Sequence, residues 1–205
     1  MRDKIYECVS WCSILDESHI KLAAIWLDGI GTILSAIGNT PIRFVSKQFL
    51  FNIDFVGDVM QANSAAILSD LEEEYNLSKI GNMIDASGNV TEISGNVIPF
   101  SDYTYGQFLS NSGNAIQTVG TGLTFVDALL ETFPDFYYIY GSLIQTIGLS
   151  MQTLAGKFPS GNKFGERLNT VGTWVQAVGS NIEAIGVTLK FTREKKPTAI
   201  YAVGF

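Results

Sequence analysis

Glycine returns every seventh residue between Gly165 and Phe191, at Gly165, Gly172, Gly179 and Gly186, and a large aliphatic residue follows three places after each. On a wheel of about 100° per residue, Leu168, Val175, Ile182 and Leu189 share one line, and Val171, Val178 and Ile185 lie beside it. This pair of lines reads as a buried stripe. Asn169, Gln176, Glu183 and Lys190, next to Glu166, Thr173 and Ser180, read as a narrow polar edge.

A glycine inside a helix costs roughly 0.5–1 kcal/mol relative to alanine. About ten such positions would cost on the order of 10 kcal/mol, comparable with the net stability of a whole domain. Close approach supplies the offset: without Cβ atoms, two helices pack main chain on main chain and gain dispersion and Cα–H···O contacts. A seven-residue repeat further implies near-parallel or antiparallel packing with a left-handed twist.

The unit of aliphatic, polar, Ala or Thr, aliphatic, Gly recurs at Leu34–Gly38, Ile116–Gly120, Ile144–Gly148, Leu168–Gly172, Val175–Gly179 and Ile182–Gly186. Weaker copies, Met60–Ser64 and Met151–Ala155, carry Ser and Ala in the glycine place, so small size is the requirement. The seam expected from the pattern comprises Gly31, Gly57, Gly81, Gly88, Gly106, Gly113, Gly120, Gly141, Gly148, Gly165, Gly172, Gly179 and Gly186. Gly38, followed by Asn39, Thr40 and Pro41, reads instead as a helix stop. The first glycines of successive tracts, from Gly31 and Gly57 to Gly141 and Gly165, fall mostly about 25 residues apart, the length of a helix plus a turn.

These patterns predict an all-α fold, an antiparallel up-and-down array of about six to seven helices with short connections. Expected segments are a short helix at 1–17, repeat helices over 18–192 and a tail at 193–205, together one domain. In order, helices are expected over 1–15, 19–37, 41–73, 77–97, 105–130, 136–157 and from the turn at 159–162 to about 192, with Asn52 and Asp54 as interruptions in the third.

With 46% hydrophobic and 16% charged residues, the chain is not of disordered composition, and its net charge of −7 disfavours nucleic acid as a partner. The charged stretch from Met1 to Ser18 lacks the apolar core of a signal peptide. Residues 136–156 carry no charge and match a bilayer in length, yet their Gln, Thr and Ser content disfavours a membrane span, and a cytoplasmic or spore-associated location is expected. Cys8 and Cys12, spaced i, i+4, are poorly placed for a disulfide with each other; they read as reduced thiols, with an intermolecular crosslink as the alternative.

Chemistry is sparse. His19, the one imidazole, follows Asp16, Glu17 and Ser18 in a run that reads as a helix cap. Asp54 and Asp58 share a helix face that reads as solvated, and no catalytic, cofactor or metal site is expected. Gln61, Gln117, Gln145, Gln152 and Gln176 occupy one place in successive units beside the glycine line. They are candidates for hydrogen bonds between helices, since an unpaired buried amide costs about 1–3 kcal/mol.

The repeated Leu/Ile-Gln-Ala/Thr-Val/Ile-Gly unit, the opening from Ala24 to Pro41 and the stretch Glu72 to Asn82 resemble an uncharacterised family of glycine-heptad repetitive proteins of spore-forming bacilli. The resemblance extends from Ala24 to about Phe191 and implies a bacterial, intracellular or spore-associated setting with no assigned activity. The expected role is therefore a non-enzymatic, self-assembling structural protein whose partner is itself. One alternative is a membrane-active helical protein. The other is a carrier of an apolar ligand in a cavity lined by Phe51, Phe55, Phe125 and Phe133.

Overall fold

The computed structural model describes residues 16–97, 103–132 and 134–194. Expectations for Cys8, Cys12, the first helix, Phe133 and the tail lie outside these residues.

The described residues form helices α1 (Glu17–Gly38), α2 (Lys47–Leu71), α3 (Leu77–Val97), α4 (Tyr103–Leu130), α5 (Phe136–Ala155) and α6 (Lys163–Glu194). Local chemistry sets their ends. Ser46 accepts a bond from the Phe49 amide and opens α2, so 41–46 precede the helix. Asp135 accepts from the Tyr137 amide and opens α5 just after Pro134. Asn52 and Asp54 do not interrupt α2: a helix backbone tolerates both where their side chains find partners.

Each helix packs against its neighbours in the chain, and α6 returns to α1, so the six helices form a closed ring. Antiparallel hairpins α1–α2, α3–α4 and α5–α6 are the closest pairs. Within them, glycines face backbone across the pair. A Cβ added to Gly31 would lie 2.8 Å from the Gly57 carbonyl oxygen, and one on Gly57 would lie 2.5 Å from that of Gly31. Gly81 meets Gly120, Gly88 meets Gly113, Gly141 meets Gly179 and Gly148 meets Gly172 in the same way. Gly106 lies opposite Gly95, which the sequence pattern passes over. Gly165 and Gly186 instead face the side chains of Phe158 and Tyr137. Gly38 is more than a stop: a Cβ there would lie 2.7 Å from the Leu50 carbonyl oxygen. Ser64, in a glycine place, donates its hydroxyl to the Ala24 carbonyl at 2.6 Å.

Part of the wheel faces the opposite way to that expected. Val171, Val178 and Ile185 are about half exposed, at 50%, 53% and 46%, whereas Thr173, Gln176, Ser180 and Glu183 are buried. The middle of the expected polar edge faces the ring interior while its ends, Glu166 and Lys190, are exposed, and of the expected stripe one line faces out while Leu168, Val175, Ile182 and Leu189 are half-buried. Asp58, expected on a solvated face, is likewise buried, and Asp54 turns toward α1.

Candidate functional site: the acidic interior of the ring

One rule generates the interior. Residues one and four places after a seam position lie side by side on the wheel, on the flank of the glycine line that turns inward. Four places after Gly57, Gly81, Gly88, Gly113, Gly141, Gly148, Gly172 and Gly179 stand Gln61, Asp85, Glu92, Gln117, Gln145, Gln152, Gln176 and Glu183. Asp28 and Asp54 hold the same place relative to Ala24 and Leu50, and one place after Gly57 stands Asp58. Glycine thus brings two backbones together, and the residue a turn later fills the space beside the seam.

These side chains join in layers. Gln152 donates to Gln176 at 2.7 Å, and Gln176 donates to Gln61 at 2.8 Å, a chain of amides running from α5 through α6 to α2. Gln117 and Asn114 donate to the two oxygens of Glu92 at 2.8 and 3.0 Å. Asp54 accepts from Ser35 and from Asn39 at 2.7 Å, and Asp58 accepts from Ser35 at 3.2 Å and Asn96 at 3.4 Å. Gln145 is buried and borders the central cavity beside Glu183.

That cavity, of about 30 Å³, is walled by all six helices: Asp28 of α1, Ser64 of α2, Asp85 of α3, Thr121 of α4, Tyr138 of α5 and Glu183 of α6 are among its residues. No lysine, arginine or histidine borders it. A wider cavity of about 840 Å³ opens at the end of the ring where α5 gives way to α6, and its inner wall carries Asn114 and Gln152. Of the phenylalanines expected to line an apolar cavity, Phe51 borders this one, while Phe55 and Phe125 do not. His19 is distant from the acids in role as well as sequence: its ring packs edge-on against Phe191 at 4.9 Å, and Ser18 bonds Asp16 locally. Among the described residues no three His, Cys, Asp or Glu side chains converge as metal ligands.

The outer face is the reverse of the interior. Over 22–38, 48–69, 80–97, 103–126, 136–155 and 168–189 the only ionisable acids or bases other than tyrosine are Asp28, Asp54, Asp58, Asp85, Glu92 and Glu183, all belonging to the interior layers. Outward Ser87, Ser94, Ser112 and Ser150 each donate to the carbonyl four residues back, at 2.7–2.8 Å, and so satisfy themselves without solvent. Charge collects at the two rims. One carries Glu72, Glu73, Glu74 and Glu131 with the ion pair Lys21–Glu72 at 3.6 Å. The other carries Arg43, Lys47, Lys157, Lys163 and Arg167 with Glu166, while Lys79, Lys190 and Arg193 lie on the first. Among the described residues α1 alone is long and apolar enough throughout to cross a membrane by length and composition; residues 136–156 fall below that mean hydropathy.

Fold and site together define a closed ring of glycine-packed helices with a polar, acidic interior and an apolar outer face. The chain belongs to a family of unknown function (DUF6944), which matches residues 19–194. No curated protein and no solved structure matches it.

Proposed function

We propose that this protein is a membrane-embedded helical barrel that holds a polar, acidic interior within the bilayer. The carrying observation is the outer face: between the rims it presents aliphatic and aromatic side chains, self-satisfied hydroxyls and a few amides such as Asn52 and Asn63, and no charge. Helix α5, with 20 residues, rises about 30 Å, the thickness of a hydrocarbon core. Mean hydropathy understates such helices, because each average mixes an apolar outer face with Gln, Asn, Thr and Asp turned inward. Small residues at helix contacts suit packing in a bilayer, and the acids a bilayer tolerates face inward.

Flotation of the purified chain with phosphatidylcholine–phosphatidylglycerol vesicles, followed by alkaline carbonate extraction, tests this. The chain is expected to float and resist extraction. Val178→Lys, at an outward position near mid-helix, is expected to cost about 2.5–3.5 kcal/mol of insertion and to lower the extraction-resistant fraction. A wild-type chain that stays in the aqueous fraction, with Val178→Lys indistinguishable from it, overturns the reading.

The same heptad-spaced outer lines, Val171, Val178 and Ile185, favour a second reading, the self-assembling structural role. Large lipid-free particles in the aqueous fraction, dispersed by Val178→Lys, would support that role instead.

A further inference from the structure

We propose that the rim carrying Arg43, Lys47, Lys157, Lys163 and Arg167 binds the phosphate headgroups of anionic lipids. The inference deepens the membrane reading above by naming the lipid class met at one end of the ring, and it rests on that reading for the bilayer itself.

Chain direction brings these residues together. Helices α1, α3 and α5 end, and α2, α4 and α6 begin, at this end of the ring, so the connections 39–46 and 156–162 and the first turns of α2 and α6 set the five side chains on one edge. All five are exposed, and Glu166 is the acid that stands among them. Among the described residues the one ion pair, Lys21–Glu72, lies on the opposite rim, so none of the five is paired with a carboxylate there. The acids of the interior layer at this end are engaged elsewhere: Asp54 and Asp58 accept from Ser35, and Glu92 accepts from Asn114 and Gln117. On a chain of net charge −7, this edge is a local excess of positive charge.

Order along the ring axis narrows the partner. Exposed aromatic rings stand beside the cations: Phe44, 92% exposed, follows Arg43, Phe49 lies two residues from Lys47, and Phe164 follows Lys163 and packs edge-on against Phe158 at 5.1 Å. Trp174, also exposed, donates to Thr40 just beyond the end of α1. Farther in, the outer face turns aliphatic, with Val56 on α2, Ile147 on α5 and Val178 on α6. Cations, then aromatic rings, then hydrocarbon match the phosphates, interfacial zone and acyl chains met along a bilayer normal. A free polyanion such as nucleic acid would meet the cations and leave the phenylalanines in water. Arg43 and Arg167 add planar forks that grip phosphate oxygens in pairs. The opposite rim also exposes aromatic rings, Tyr75 and Phe136, but there acids outnumber bases among the described residues, so the preference for anionic lipid belongs to one end.

The test uses the full chain purified in a neutral detergent. Phosphatidylglycerol or phosphatidylcholine is titrated into the micelles while thermal unfolding is followed. A saturable rise in melting temperature is expected with phosphatidylglycerol, absent with phosphatidylcholine and lost in about 0.5 M sodium chloride. Lys47→Gln combined with Lys163→Gln is expected to weaken half-saturation by about tenfold or more, and Lys190→Gln on the opposite rim to change nothing. Circular dichroism checks that each variant remains helical. Equal responses to the two lipids overturn the proposal, as does a phosphatidylglycerol response unchanged in the double variant, or the same rise produced by inorganic phosphate alone. The two readings fail separately. A chain that floats and resists extraction yet does not distinguish the lipids keeps the membrane reading and loses this one; a chain that resists neither extraction nor dilution yet responds to phosphatidylglycerol alone loses the barrel and keeps the headgroup site.

Discussion

Two kinds of helix contact build the ring, and they hold it by different means. In the hairpin seams, main chain meets main chain: the Gly148 position lies against the Gln176 amide and the Gly172 carbonyl, closer than any Cβ could. At the junction where α6 closes on α1, side chains do the joining. Trp26 donates to Thr188 at 2.9 Å, Asn181 to the Gly29 carbonyl at 3.0 Å, and Asn169 to Asn39 at 2.8 Å, while Thr32 and Ser180 pair at 2.6 Å. A seam cannot yield without separating two helices. A junction can re-pair its hydrogen bonds, so the ring is best understood as three stiff hairpins joined by adaptable polar contacts.

The sharpest way to break that distinction is to fill a seam. Gly172→Leu with Gly179→Leu would drive side chains into the backbone of α5 around Gly148 and Gly141. Overpacking costs typically 1–3 kcal/mol per site and more where backbone must move, so a loss above about 3 kcal/mol is expected in denaturant or thermal unfolding. An unchanged melting temperature would show that the seams are looser than the distances state.

A finer test lies within one helix. Gly29 and Gly31 are two residues apart on α1, yet Gly31 faces the seam and Gly29 the junction. A methyl on Gly31 would lie 2.8 Å from the Gly57 carbonyl oxygen and 3.0 Å from the Met60 Cβ. At Gly29 the nearest atom is the Asn181 Oδ1, at 3.2 Å, the end of a side chain that can move. Gly31→Ala is therefore expected to destabilise by about 1–3 kcal/mol. Gly29→Ala is expected to cost less than about 1 kcal/mol, since displacing Asn181 gives up one ordinary hydrogen bond and alanine regains helix propensity. Equal effects at the two positions would erase the difference between seam and junction.

How much of this was legible in the sequence divides along the same line. The seams could be read because glycine in a helix is costly, so its recurrence needs a reason, and Gly31, Gly57, Gly148 and Gly172 all stand in the seven-residue period. Gly95 carried a signal that the seam pattern passes over: it stands seven residues after Gly88, and Ser94 before it is matched by Ser87 before Gly88 and Ser112 before Gly113. The outward direction could not be read in the same way. A wheel with valine on one flank and glutamine on the other has the same period whichever flank faces in, so the pattern places Val178 in the core and offers Gln176 both a polar edge and a bond between helices, of which the structure has the second. The acids carried an available signal: Asp85, Glu92 and Glu183 share the fourth place after glycine with the glutamines, which is too regular for scattered surface charge. The central cavity carried none, because Asp28 and Glu183 come together only when α6 closes on α1.

The smallest expected effect is at Gly122 on α4, which lies outside the seams. A Cβ there would meet only the Thr146 Cγ2, at 3.9 Å, an ordinary van der Waals contact. Nothing at this position requires close approach, so the intrinsic cost of glycine in a helix, roughly 0.5–1 kcal/mol, is not offset. Gly122→Ala should therefore leave stability unchanged or raise it by up to about 1 kcal/mol, measured by unfolding under the same conditions as Gly31→Ala. A methyl that is harmless on α4 and damaging on α1 would show that distance to the neighbouring backbone, and not glycine as such, makes a seam. Should Gly122→Ala destabilise as much as Gly31→Ala, the α4–α5 contact is as tight as a hairpin seam and the division of the ring into stiff pairs and adaptable junctions falls.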